Sequence, residues 1–588
     1  MSVSKIQKHQ LLVGALGKSS QTAHKALLSE VLITTKPSGN QKQYCRPKWR
    51  DITDANRERY HQNLNAELLC SHSNNGNYES ILACLNRAKT NSLGRKRHRP
   101  RWAVNSTPKI DQLHIEHGNA LKAYIDNPTP TTLNTASILE RKLKIARMNF
   151  DKRSLMDLLE KLESYHQLTK IRKFYSKIKQ KTAPKTENSF VIWNNKSTRE
   201  SPSFSATKKD YLEWWAQYLE MKFANSSDAT FIPPPNSKPK DINGKPITER
   251  EVHSAIQCLK NFKAPGIDEI TNEDIKLIQM LKPSLILDCL QVIWKEEKCP
   301  REFRHALIKL FPKPQKPGKR RDMRFQKNYR PISLLATLRK LLEIILNNRI
   351  KEFVRLDESQ FGFMNGKSTT DCIFLLCEAI LEARYISRGT KGGHHQRLYA
   401  AFLDFEGAFD SVIRDLLWKK LYKRHKINGK LLRVIINLFS NIKGQAIVNE
   451  MITREFPIDS GVLQGRVLGP TLFLLVIDDL LEELQLSRAG IPMAGTILSV
   501  ICSADDQTLL ALTPDKLQKL LDICYSWAKK NGMNFEPTKC FVVVFNSKTK
   551  KAENLPYFHL GEERLDTFYP GSLNELYLGF NITDREHA

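Results

Sequence analysis

Residues 398–405, LYAAFLDF, constrain the fold more than any other stretch of the chain. The run is apolar on both faces except for Asp404. A strand hydrophobic on both faces has to lie inside a sheet covered on both sides. The segment therefore predicts a central, buried strand ending in a carboxylate. Two further apolar runs, Thr496–Ser503 and Gln507–Leu512, are joined through Ala504-Asp505-Asp506. So short a connection reads as a β-hairpin with two acids at its tip.

Helical patterns surround these strands. Thr248 and Glu251 form a capping box, and Val252, Ile256 and Leu259 follow at helical spacing. Leu338, Leu341, Leu342, Ile345 and Leu346 predict a helix with those residues inward and Arg339, Lys340 and Glu343 outward. Ser411 is placed to cap another, whose inward face is Val412, Leu416 and Leu417. Mixed helices and strands with a strand-to-strand hairpin give an α+β fold with an antiparallel sheet.

Charge narrows the function. The 588 residues carry a formal net charge of +30. An excess that large calls for a polyanionic partner, nucleic acid first and an anionic membrane surface second. No apolar run approaches the ~18–20 residues that span a bilayer. Leu11–Leu16 is too short for a secretory core. No membrane partner is expected, and the protein is expected to be intracellular, in the cytoplasm, the nucleus or both. The 11 cysteines include no CxxC pair, which fits reduced thiols in such a compartment.

The chain divides by composition. Residues 1–232 read as a basic, mostly helical extension. It holds the cluster Arg95-Lys96-Arg97-His98-Arg99, long basic helices from Ile138 to about Lys181, and a docking stripe of Tyr211, Trp214, Trp215, Tyr218 and Leu219. Residues 233–247, opening with Pro233-Pro234-Pro235, form a linker. From Arg301 to Arg330, eleven Lys and Arg face two acids, with Pro312, Pro314 and Pro317 interrupting. That makes a partly rigid basic surface suited to phosphates.

Asp404, Asp505 and Asp506 are the candidate chemical residues. Converging carboxylates repel, at about 4 kcal/mol for a pair 4 Å apart at an effective dielectric near 20. Divalent cations remove that cost. Hard oxygen ligands with open positions suit Mg²⁺, which keeps phosphate oxygens in its shell. Two such ions can activate a hydroxyl and stabilise a leaving pyrophosphate.

From about Lys263 to Ile582 the chain resembles the reverse transcriptases of non-LTR retrotransposons, most like the jockey group. The motifs lie in the family's order: KAPGID at 263–268, LIKLFPKP at 307–314, NYRPISLL at 328–335, QFGFMNGKST at 360–369, FLDFEGAFD at 402–410, GVLQGRVLGP at 461–470, SADD at 503–506 and YLGF at 577–580. The resemblance implies a right-hand polymerase, with the start of the fingers at 248–295 and the fingers and antiparallel palm at 296–582. It implies RNA-directed addition of deoxynucleotides to a primer 3′-hydroxyl, with an RNA template, a DNA primer and deoxynucleoside triphosphates as partners.

The same resemblance assigns residues. Asp404, Asp505 and Asp506 match the catalytic aspartates, which with the Phe405 carbonyl would hold two Mg²⁺ ions, Mn²⁺ being an alternative. Phe409 matches the aromatic gate against a ribose 2′-hydroxyl. Gln464 matches the glutamine beside the incoming nucleotide, and Lys309 and Arg330 the residues near its triphosphate. Lys539 matches the lysine after the Gly532-Met533 turn.

Departures stand beside these matches. Ser503 replaces an aromatic residue before Ala-Asp-Asp, and Leu463 and Arg466 stand in a motif usually read Pro-Gln-Gly-Ser. Arg466 is expected to bring charge and bulk close to Gln464. No endonuclease constellation is evident before residue 240, so that activity is expected to be supplied elsewhere or lost. Only 8 residues follow YLGF, so a thumb is expected to be absent or barely begun. Two other readings stay open: a catalytically degenerate retroelement remnant that binds nucleic acid, and a group II intron-type reverse transcriptase.

Overall fold

The computed structural model describes residues 54–70, 77–93, 208–224, 231–232, 244–313, 325–386, 396–449, 451–547, 555–570, 576–578 and 580–581, with Asp322 and scattered positions between 112 and 149. The basic cluster at 95–99, the helices expected beyond residue 150 and the proline run at 233–235 lie outside them. Residues 48–94, 212–448 and 452–588 are assigned to one compact unit and the remaining residues to another. The first unit holds both of the larger sheets and every candidate site residue.

Its centre is a six-stranded sheet. The strand Leu398–Leu403 (β3) is buried at every position, as its two-faced apolarity requires. Antiparallel to it on one side runs β7 (Asp506–Ala511), followed by β6 (Val500–Ser503). On the other side β8 (Phe541–Phe545) pairs antiparallel with β3. β8 then pairs with β10 (Glu563–Phe568), and β10 with β9 (Phe558–Leu560). The β8–β10 pair is parallel, so the expected wholly antiparallel sheet is antiparallel except at this joint. Phe402, Leu398, Ala400, Ile501, Leu510 and Val543 share one core with Cys372, Leu376 and Ala379 of the helix Thr369–Ile386.

A second sheet carries the basic stretch. β1 (His305–Pro312) pairs antiparallel with β2 (Tyr329–Leu334) and parallel with β4 (Ile442–Val448). β4 also pairs with β5 (Phe456–Ile458).

Helices depart from the sequence reading in two places. Leu338, Leu341, Leu342, Ile345 and Leu346 are buried in the helix Thr337–Phe353 (α1), but so are Arg339 and Glu343, both fully. They pair with each other across one turn, Arg339 Nε to Glu343 Oε1 at 2.7 Å. The Glu343 carboxylate also accepts the backbone amides of Val467 at 3.0 Å and Leu468 at 3.4 Å. It thus caps the helix Leu468–Leu486 from outside its own chain segment. Buried charges of this kind persist only when paired and hydrogen-bonded. Ser411, expected to cap the following helix, instead donates from its hydroxyl to the Ala408 carbonyl at 3.2 Å, and the helix begins at Arg414. The capping box at Thr248 and Glu251 forms as expected.

Among the described residues no single helix is long and apolar enough to cross a membrane, and nine of the cysteines are free thiols.

Candidate active site

The central sheet brings the three aspartates to one edge. Leu403 of β3 stands opposite Gln507 of β7, so the next step of the same register sets Asp404 beside Asp506. Ser503 and Asp506 are partners across the hairpin, leaving Ala504 and Asp505 as a two-residue turn. The hairpin is shorter than the sequence suggests. Thr496–Leu498 pairs back with Ile491–Met493, and the strand proper starts at Val500. Ala504 takes a left-handed conformation, φ +60°, the kind of backbone strain that persists when surroundings enforce it.

Those surroundings are the QFG segment. Cys502 donates its amide to Ser359 and Phe361 donates to Cys502, at 2.9 and 2.8 Å. Gln360 is 1% exposed. Its amide oxygen accepts from Gly362 at 2.7 Å and from Ala504 at 2.9 Å. A side chain on Gly362 would run into the backbone nitrogen of Ala504. Gln360 and Gly362 therefore hold the turn that carries Asp505. The sequence offered their motif but not their contact, because the partners Gln360 and Cys502 lie 142 positions apart.

Charge repulsion shows in the carboxyl groups. Burial raises Asp505 above the usual carboxylate range and Asp404 raises it further, while Lys539 and Arg330 pull it back. Asp506 is pushed up to about 7 by the protein packed around it, then by Asp505 and Asp404. Asp404 faces a cation instead: Lys539 Nζ donates to its Oδ2 at 2.6 Å. The three acids feel one another, yet among the described residues no set of three acid, His or Cys side chains closes into a metal-sized cage.

Backbone bonds fix the strand end. Glu536 donates to the Asp404 carbonyl at 2.9 Å, and Glu406 to Asn534 at 2.8 Å. Phe405 and Phe535 are the residues facing each other between these two bonds, so the ladder leaves the Phe405 carbonyl unused. Their rings stack with centroids 4.3 Å apart.

The remaining candidates lie around this edge. Phe409 is half-buried, stacked on Phe473 at 4.8 Å and edge-on to Phe363 at 6.3 Å. Lys309 and Phe311 are two residues apart on β1 and so point to the same face, and Arg330 is the partner of Phe311, so Lys309 and Arg330 share that face. Both are exposed. The carbonyl of Gln464 accepts from the Ser333 amide at 2.9 Å, which ties its turn to β2.

Arg466 does not crowd Gln464 with charge. It turns inward and is 4% exposed. Its guanidinium lies 4.7 Å from the Phe439 ring centre, which Arg339 and Arg414 also approach, each at 5.7 Å.

With this aspartate-lined sheet edge and exposed basic strand pair in place, residues 312–582 match the family "Reverse transcriptase (RNA-dependent DNA polymerase)". The domain resembles those of non-LTR retrotransposons, as the motifs imply. The chain is 28% identical to a probable RNA-directed DNA polymerase from transposon BS of Drosophila melanogaster, over 53% of this chain and 33% of that one. It is 27% identical to the RNA-directed DNA polymerase from mobile element jockey of Drosophila funebris, over 58% and 37%. The Pol polyprotein from retrotransposable element R2 of Nasonia vitripennis is 28% identical over 55% and 30%. The chain spans about a third of the length of these relatives.

Proposed function

We propose that the chain is an RNA-directed DNA polymerase of a non-LTR retrotransposon, extending a DNA primer on an RNA template with deoxynucleoside triphosphates. One observation carries the reading: Asp404 and Asp506 at adjacent ends of paired strands, with Asp505 in the turn between β6 and β7. In this reading the central sheet is the palm, the sheet of β1, β2 and β4 belongs to the fingers, and 1–232 is an extension joined through 233–247.

The residues fit divalent ions. Burial and the neighbouring carboxylates raise two of the acids beyond what Lys539 and Arg330 offset, and the third already carries the Lys539 ammonium in the position of a counter-ion. Carboxylate oxygens and the spare Phe405 carbonyl are hard donors suited to Mg²⁺ or Mn²⁺. Bound there, two ions would supply the charge that activates the primer hydroxyl and stabilises pyrophosphate.

The chain's own residues do the rest. Asp404, Asp505 and Asp506 hold negative charge at a fixed sheet edge. Arg330 and Lys309 offer cations on one face to the triphosphate, Arg330 with a planar fork matched to phosphate oxygens. Phe409, clamped by Phe473, fills space where a 2′-hydroxyl would sit. Gln464 borders the base or sugar, its turn anchored on β2.

Primer extension tests this. Purified protein, a primed RNA, Mg²⁺ and deoxynucleotides should yield extended primer, and Asp505→Asn should abolish extension while RNA binding stays intact. The substitution keeps shape and removes a ligand charge.

A second reading, a degenerate remnant that only binds nucleic acid, draws on Arg466, whose buried guanidinium has no hydrogen-bond partner among the described residues. Binding without extension, by both the natural chain and one carrying Ser503→Tyr and Arg466→Ser, would favour it.

A further inference from the structure

Near the end of the loop from Asp404 to Ser411 stands Asp410, a buried carboxylate, 4% exposed. Its Oδ2 meets Lys222 Nζ at 3.0 Å. Its Oδ1 has no partner among the described residues. The lysine comes from the last turn of the helix Lys208–Lys222, well upstream of the segment that matches the reverse transcriptase family. A charged group inside a protein needs its counter-charge, because removing one partner leaves the other uncompensated.

The residue after Lys222 makes a second tie. The Phe223 carbonyl accepts the amides of both Asp459 and Ser460 at 3.0 Å. Ser460 in turn donates from its hydroxyl to the Asp410 carbonyl at 3.1 Å. Val462 donates to Phe409 at 2.9 Å, and Gly461 to Val412 at 2.8 Å. A side chain on Gly461, which sits at φ +79°, would come within 2.8 Å of the Phe409 and Asp410 carbonyls. Three distant segments therefore meet in one knot: 222–223, 409–412 and 459–462. Phe409 leaves it on one side and Leu463-Gln464 on the other.

We propose that Lys222 is a positioning residue that sets the nucleotide-facing loop of Phe409 by neutralising Asp410. The proposal rests on the polymerase reading for its effect on nucleotides but not for its structural content. Lys313 also attracts the Asp410 carboxylate, and without the Lys222 ammonium Asp410 has to turn that carboxylate towards Lys313 or towards water. Its backbone carries Phe409 with it, and the ring loses its seat between Phe473 and Phe363.

Two measurements on the full chain test this. The first is the ratio of kcat/KM for a deoxynucleotide to that for the matching ribonucleotide. Lys222→Met should lower deoxynucleotide kcat/KM by about 10²-fold, the scale of an ångström-sized misplacement, and should lower the ratio. Lys222→Arg should retain most of the ratio. Lys222→Met with Asp410→Asn should recover much of it, because a neutral amide needs no counter-charge. A purely structural lysine would depress both nucleotides equally. An unchanged ratio, or a double variant no better than Lys222→Met, overturns the proposal.

The second is hydrogen–deuterium exchange of the peptide covering 404–412. Lys222→Met should speed it and the added Asp410→Asn should slow it again. Should Lys222→Met not fold, Asp410→Asn rescue of folding is read in its place. This readout works on a chain that extends no primer. Absence of extension in every variant would therefore count against the polymerase reading, and unaltered exchange against Lys222.

Discussion

All three nitrogens of the Arg466 guanidinium are buried without a hydrogen-bond partner among the described residues. Burial lowers its pKa well below the usual arginine range, and Arg339 and Arg414 lower it further against the opposing pull of Glu343. Arg414, by contrast, donates to the carbonyls of Gly461, Phe439, Ile458 and Ser460 at 2.8–3.0 Å, so its own burial is compensated. The Phe439 face offsets part of the Arg466 cost, since a desolvated cation–π contact contributes about 2 kcal/mol. The unmet donors outweigh that. Arg466→Met keeps most of the volume and removes the charge, and should raise unfolding free energy by roughly 1–3 kcal/mol. Urea denaturation reads it directly; a loss of stability would mean that the guanidinium is better served than its contacts indicate.

At the scale of elements, the hairpin of β6 and β7 depends on a segment far from it in sequence. Gly362→Ala places a methyl group against the Ala504 backbone, so either the QFG segment or the turn has to move. Primer extension should fall by about 10²-fold, as for an ångström-sized misplacement. RNA binding should change little, because the basic stretch 301–330 contributes its strands to the other sheet. Equal loss of both would point to general unfolding. The same elements show what could be read from sequence. β3 was legible because its apolarity has no polar face to contradict it, and Asp404 stood out against that background. The acid hairpin followed from its brevity. Gln360 stayed hidden because its partner is a backbone amide, which leaves no trace in residue type. The sequence predicts Arg339 and Glu343 outward because a charged residue between leucines normally faces water. In α1 they lie inside because each satisfies the other and Glu343 caps a second helix. The Lys222–Asp410 pair joins positions too far apart for any local pattern to register.

Taken whole, the unit extends further upstream than the polymerase motifs. The helices Asp54–Cys70 and Tyr78–Leu93 are bonded to the region just after the linker. Tyr60 donates to Asp274 at 2.7 Å and Tyr78 to Asp268 at 2.9 Å. Lys89 pairs with Asp274 at 2.7 Å and donates to the Glu269 carbonyl at the same distance. Burial pushes Asp268 up to about 6, with Tyr78, the Ile270 amide, Lys89 and Lys340 opposing. Between about pH 4 and 6 the unfolded chain has lost this proton and the folded chain retains it. Stability therefore falls as pH rises through that window, by up to about 3 kcal/mol from this group, and the contribution is level above it. Asp268→Asn keeps the shape and an acceptor for Tyr78, so the difference in unfolding free energy between variant and natural chain should grow in the variant's favour from pH 4 to 6 and then level off. A difference that stays flat across the window would show that Asp268 titrates alike in both states.

The tie between Lys222 and Asp410 also bears on inheritance. The two positions lie on opposite sides of the proline run Pro233–Pro235. A recombinant joined at that run, with its upstream part from one lineage and its downstream part from another, receives the cation from one parent and the buried acid from the other. Parents that do not share both members would leave one of the two charges without its partner in the recombinant, so the pair ties the sequence choice on one side of the run to that on the other.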